Sequence, residues 1–171
     1  IQYARNNFNV LLIGPHGVGK TTLMKEVVNI LDKKFAYLSA PTLNPWIQLV
    51  GVPVPNKETH TLDMYRLKML EEAEFIFFDE LNRAPLNVLN AIYEIIQFKT
   101  INGHPLPNLK AAWGAINPPG GQYDVEDLDP ALVDRFHVYI NMTAHINRPY
   151  MEQYCSSDLV NKVTDWCEQS L

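Results

Sequence analysis

Cysteine is almost missing from this chain: Cys155 and Cys167 are its only two, twelve positions apart, with no CxxC pair and no histidine at ligand spacing. That excludes a disulfide-stapled scaffold and argues against a zinc site, so two free thiols in a reducing compartment are expected. Long apolar runs are missing as well. None approaches the roughly twenty residues a spanning helix needs, so no membrane association is expected and the location is read as cytoplasmic. Positive charge is in short supply, with 14 Lys and Arg against 19 Asp and Glu and a formal charge of -5. This argues against a broad electrostatic grip on nucleic-acid phosphates, although a local basic groove stays open. No internal repeat and no low-complexity tract is found. The chain also lacks an initiating Met and a signal-peptide pattern, so it is expected to be a piece of a longer protein.

What is present is apolar content, 47% of 171 residues, enough for one globular domain and too little chain for two ordinary ones. Five apolar runs of strand length, Asn9 to Ile13, Phe35 to Ser39, Phe75 to Asp79, Lys110 to Ile116 and His137 to Ile140, alternate with helical or loop segments. Such alternation predicts an α/β fold, a parallel sheet covered by helices on both faces. Helices are expected over Thr21 to Leu31, over Leu62 to Ala73, and after Pro85 through Leu86, Leu89, Ile92, Tyr93 and Ile96. Pro41 to His60, with four prolines and no clear period, reads as a loop wrapping the domain. Asn102-Gly103 predicts a hairpin with a type I' turn, and Ser157 to Ser170 reads as a helix that the chain does not go on to pack.

The chemistry starts at "GPHGVGKTT", Gly14, Pro15, His16, Gly17, Val18, Gly19, Lys20, Thr21 and Thr22, which carries GxxxxGKT directly after a strand and at a helix start. Its glycines let backbone N–H groups turn inward around phosphate oxygens, and the helix N-terminus adds partial positive charge. Lys20 then reaches the β and γ phosphates, and the Thr21 hydroxyl completes a Mg²⁺ shell. "FIFFDE" ends a buried strand in two carboxylates, at the end where open α/β sheets bind ligands. Asp79 is read as holding Mg²⁺ through water, and Glu80 as the general base that polarises the attacking water. A second carboxylate beside the Mg²⁺ ligand suits hydrolysis over kinase chemistry. Absence of an NKxD-like motif disfavours GTP. Asn117, at the end of the fourth strand, can hydrogen-bond both the γ phosphate and the catalytic water.

Together these motifs resemble the AAA+ ATPases, and within them the MoxR-like, dynein-related branch. The resemblance rests on "GPHGVGKTT", "FFDELNRAPLNVLNA", "TINGHPLP", "GAINPPGGQYD" and "DPALVDRF", in family order over most of the chain. It implies a P-loop NTPase with ATP and Mg²⁺ as cofactors, a five-stranded parallel sheet between helices, and a hairpin inserted after the helix that follows the Asp-Glu strand. It implies a ring, hexameric in this family, with each nucleotide at a subunit boundary. Asn117 then matches the sensor-1 position and Arg135 the arginine finger, acting in trans on the γ phosphate of the neighbouring subunit. Asp134 is expected to orient or screen Arg135. Arg83 also matches the family pattern. Residues 1–145 are expected to form the core ATP-binding domain, and 146–171 the start of a helical lid or C-terminal extension, without a persuasive lid arginine; Arg148 is not one. The function implied is ATP hydrolysis that remodels a protein complex in a chaperone-like way, on a protein client. The alternatives are a nucleic-acid-directed motor, for which Lys99, Lys110 and His104 could line a pore, and a nucleotide-gated scaffold.

Overall fold

The computed structural model describes residues 1–118, 128–143, 149, 152–153 and 155–169. A short helix α1 (Gln2–Arg5) precedes strand β1 (Val10–Ile13), helix α2 (Lys20–Leu31) and strand β2 (Phe35–Ser39). A 3-10 turn at Ala40–Thr42 and a wide turn at Pro45–Val50 lead to strands β3 (Val52–Asn56) and β4 (Thr61–Tyr65), then helix α3 (Lys68–Glu72) and strand β5 (Phe75–Asp79). A 3-10 turn at Leu81–Arg83 opens into helix α4 (Leu86–Phe98), the short strands β6 (Thr100–Ile101) and β7 (His104–Pro105), and strand β8 (Ala111–Ile116). Helix α5 (Pro130–Val133), strand β9 (Val138–Asn141) and helix α6 (Ser157–Gln169) complete the described order.

β2, β5, β8, β1 and β9 lie in that order in one sheet, every pair parallel, as the alternation of apolar runs predicts. Along β5 the side chains divide between the two faces. Ile76 and Phe78 join a core with Leu11, Ile92 and Phe136, while Phe75 and Phe77 join a second with Leu12, Met24 and Trp113. A strand buried on both faces reads as a continuous apolar run, which is why "FIFF" was legible. Gly114 in β8 allows one close approach: a Cβ there would meet Leu81 Cδ1 at 2.4 Å and Phe136 Cζ at 3.0 Å. No helix among the described residues is long and apolar enough to cross a membrane.

Three expectations need correction. Leu62 to Ala73 is not one helix: Thr61–Tyr65 pairs antiparallel with Val52–Asn56, and only Lys68–Glu72 is helical. Leu62, Tyr65 and Met69 do recur at helical spacing, but the preceding turn decides the matter. Asn56 Oδ1 accepts from the N–H groups of Glu58 (3.0 Å) and Thr59 (3.2 Å), and its Nδ2 donates to Asp63 Oδ2 (2.9 Å), folding the chain back on itself. For the same reason Pro41 to His60 is not all loop. Pro53 and Pro55 are tolerated in β3 because a two-stranded ribbon has free edges. Finally, α6 does pack, since Val160 and Thr164 are buried on one side of it. Cys155 is a free, half-buried thiol, as expected.

The Asn-Gly turn forms as predicted, with φ of 49° at Asn102 and 76° at Gly103. It is fastened to α4 by one carboxylate. Glu94 Oε1 accepts from Thr100 Oγ1 (2.6 Å) and Gly103 N (2.8 Å), and Oε2 accepts from Asn102 N (2.9 Å). Burial pushes the Glu94 carboxyl upward, yet the hydrogen bonds from Gly103, Thr100 and Asn102 outweigh it and hold the group below its ordinary value.

Candidate functional site

The carboxyl ends of β1, β5 and β8 converge on a cleft of about 280 Å³, walled by residues of the His16–Thr22 loop, Asp79, Glu80 and Asn117. Gly17 (φ 80°) and Gly19 (φ 87°) take the left-handed conformation that turns the loop around the cleft ahead of α2. Such a loop, leading into the N-terminus of a twelve-residue helix, is a seat for anionic oxygens. Lys20 is 8% exposed, and its Nζ donates to Gly14 O (2.7 Å), Pro15 O (2.9 Å) and Asn117 Oδ1 (3.0 Å). Burial lowers its pKa, while the charges of Asp79 and Glu80 act in the opposite sense. An ammonium held this dry is a strong partner for a phosphate oxygen.

Thr21 Oγ1 donates to Asp79 Oδ2 at 2.8 Å, so the two residues expected around Mg²⁺ stand side by side. Among the described residues no group of three or more His, Cys, Asp or Glu could hold a metal ion. A hydroxyl and one carboxylate fit Mg²⁺ only as a partial shell, completed by phosphate oxygens and water, which is the usual arrangement for this ion. Tyr37, which the sequence did not single out, donates its hydroxyl to Asp79 Oδ2 at 3.2 Å. Burial pushes the Tyr37 phenol up, and the Asp79 and Glu80 charges push it further.

Glu80 sits at φ 55°, a left-handed conformation that costs a non-glycine residue about 1–2 kcal/mol. Its carboxylate accepts from Arg83 Nη1 at 3.3 Å and lies 3.8 Å from His16 Nδ1. Arg83 thus contacts the candidate base of its own chain. Asn117 is 3% exposed, and its amide is fixed from both sides, by Lys20 at Oδ1 and by His16 Nε2 at 3.1 Å from Nδ2. Its backbone is held by a residue that sequence reading passed over. Asn82 Nδ2 donates to Asn117 O (2.8 Å), and Asn117 N donates to Asn82 Oδ1 (3.4 Å). A buried amide inside "DELNRAP" was the available signal, because buried polar groups need partners.

Arg135 stands elsewhere. It lines a second, larger cleft of about 710 Å³ with Asn9, Gln97, Lys99 and His137, at the amino ends of β1 and β9. Asn9 Nδ2 donates to Arg135 O at 3.3 Å, and Asn9 N donates to His137 Nδ1 at 3.0 Å. The expected partner of the guanidinium is wrong: none of the described ion pairs joins Asp134 to Arg135, and Asp134 is exposed. Instead Arg135 Nη2 donates to Tyr93 Oη at 2.5 Å, with the guanidinium carbon 5.0 Å from the Tyr93 ring centroid. Tyr93 falls on the apolar stripe of α4, with Leu86, Leu89, Ile92 and Ile96, and nothing local marks its second role. Of the sequence-derived site, the loop, Asp79, Glu80 and Asn117 therefore share one cleft, and Arg135 lies outside it. Arg148 lies outside the described residues, whereas most of the segment expected to begin a lid, α6 included, is described.

The family model for AAA domains of the dynein-related subfamily matches residues 9–136. Among curated proteins, the Holliday junction branch migration complex subunit RuvB of Streptococcus pneumoniae is 29% identical over 89 residues, covering 52% of this chain and 23% of that protein. Among solved structures, a candidate ATPase from Cytophaga hutchinsonii superposes with a TM-score of 0.64 at 28% identity, over 85% of this chain and 44% of that one. The chain thus spans under half the length of each.

Proposed function

Because this chain belongs to the dynein-related subfamily of AAA domains, we propose that its carboxyl-end cleft binds ATP with Mg²⁺ and hydrolyses it within a cytoplasmic hexameric ring that remodels a protein complex. Lys20 and the inward-turned loop bind the triphosphate. Thr21 and Asp79 would hold Mg²⁺, which would supply neutralisation of the triphosphate's charge. Glu80 takes a proton from the attacking water, and Asn117 positions that water against the γ phosphate. Residues 1–145 form the ATP-binding core and 146–171 begin a lid or extension.

One observation carries the ring reading: Arg135 lies at the opposite end of the sheet from Lys20 of its own chain. The four residues of β1, about 13 Å at the rise of a strand, separate the two edges. A guanidinium placed there serves a neighbour's γ phosphate, where it can raise turnover about 10³- to 10⁵-fold. The test is ATP turnover per subunit across protein concentration, with ring assembly followed in the same samples. Wild-type turnover is expected to rise as rings form, while Arg135→Ala assembles, binds ATP and stays slow by about 10³-fold. Equal turnover of both proteins at every concentration would remove the trans finger.

A nucleic-acid-directed motor is the second reading, supported by the similarity to RuvB and opposed by the formal charge of -5. Duplex or single-stranded DNA that stimulates turnover, steeply weakened by salt, would favour it over a protein client.

A further inference from the structure

We propose that Tyr93 is the positioning residue for Arg135, holding the guanidinium ready before a neighbouring subunit arrives; this rests on the reading of Arg135 as a trans finger. The backbone of Arg135 is fixed without help from Tyr93. Its carbonyl accepts from Asn9 Nδ2, its N–H donates to Leu132 O at 3.2 Å, and the next residue, Phe136, is buried against Gly114. None of this controls the long, rotatable side chain, whose freedom would have to be lost each time a phosphate is met.

Tyr93 removes that freedom through two contacts of different kinds. Its hydroxyl accepts from Nη2, fixing the direction of the fork, and its ring supports the guanidinium. The Arg135 Nε–H is meanwhile buried with no acceptor. That end of the fork therefore has no hydrogen bond of its own to fix it, and the contacts with Tyr93 set its place. Tyr93 sits on α4 (Leu86–Phe98), which begins shortly after the Leu81–Arg83 turn that follows Glu80. Each subunit thereby ties the finger it offers to the helix that follows its own candidate base.

The experiment measures kcat and KM for ATP in the native full-length protein under ring-forming conditions, with assembly checked by sedimentation. It compares Tyr93→Phe, Tyr93→Leu, Arg135→Ala and the double variant Tyr93→Leu/Arg135→Ala. Loss of the hydroxyl alone is expected to lower kcat about tenfold and loss of the ring as well about thirtyfold, with KM within about twofold. In the Arg135→Ala background Tyr93→Leu should cost nothing more, because its effect passes through the arginine. A Tyr93→Leu ring with wild-type kcat overturns the proposal. So does an equal loss in the Arg135→Ala background, or a rise in kcat, which would make Tyr93 a brake. If Tyr93→Leu fails to assemble, Tyr93→Phe decides by the same criteria. Arg135→Ala turning over at the wild-type rate would instead fail the finger reading itself and take this proposal with it.

Discussion

The two clefts occupy opposite edges of one parallel sheet and are held together by different means. At the carboxyl edge, side chains meet because β1, β5 and β8 end there in register: Lys20 bonds its sequence neighbours Gly14 and Pro15, and bonds between separate motifs, Thr21 to Asp79 and Lys20 to Asn117, close the cleft. At the amino edge the contacts are long in sequence, Asn9 to Arg135 and Tyr93 to Arg135. Both edges are products of the finished fold, but the residues of the first lie in local motifs and those of the second do not. The carboxyl edge also has its donors and acceptors matched around Lys20 and Asn117, whereas the amino edge keeps the buried, unmatched Nε of Arg135. In the proposed ring, these are two halves of one site that no single subunit can close.

Changes at the carboxyl edge should separate binding from chemistry within a subunit, and the largest effect expected there is from Glu80→Gln. Turnover should fall about 10²- to 10⁴-fold with ATP affinity retained, as measured by single-turnover hydrolysis beside equilibrium binding. Loss of affinity equal to the loss of rate would make Glu80 a binding residue and blur the contrast. Asn82→Ala comes next. It leaves Asn117 O and N without their side-chain partner in a buried place, so stability should fall by about 1–3 kcal/mol in urea denaturation, and kcat about tenfold through misplacement of Asn117. If stability falls while kcat holds, Asn82 supports the sheet edge and not the water.

The smallest effect belongs to neither cleft. Glu94→Gln loosens the hairpin fastening and should cost about 1 kcal/mol near neutral pH, with ATP affinity unchanged. Because the folded carboxyl is held below its ordinary value, its contribution is fully present above that ordinary value, near 4.5. It is lost as pH falls through the lower, folded-state value, so wild type and Glu94→Gln should converge in stability in acid. A gap between them that widens on acidification would contradict the hydrogen-bond pattern.

The difference between the edges also governs what could be read from the amino-acid sequence. The five sheet strands, the phosphate loop, Asp79, Glu80 and the Asn102-Gly103 turn are written locally, in runs of apolar residues or in residues whose conformational needs show at once. Tyr93, Asn9 and Asn82 carry no such mark. A tyrosine on an apolar helical stripe and an asparagine before a strand have ordinary reasons to be there, and their partners are fixed only when distant segments meet. Leu62 to Ala73 departs for a local reason: its helical spacing is real, but the Asn56 turn brings Thr61–Tyr65 against Val52–Asn56, and that antiparallel pairing outweighs it. Asp134, adjacent to Arg135 in sequence, looked like its partner and is not, because the side chain turns toward α4.

Glu94, which fastens the hairpin, immediately follows Tyr93, which holds Arg135. Adjacent residues on a helix project about 100° apart around its axis, so α4 carries two handles like the throws of a crank. A roll of the helix by about 10° would carry both side-chain ends about 1 Å along their arcs. In the proposed ring, a pull on Arg135 would therefore bear on the same helix that holds the Asn102-Gly103 turn.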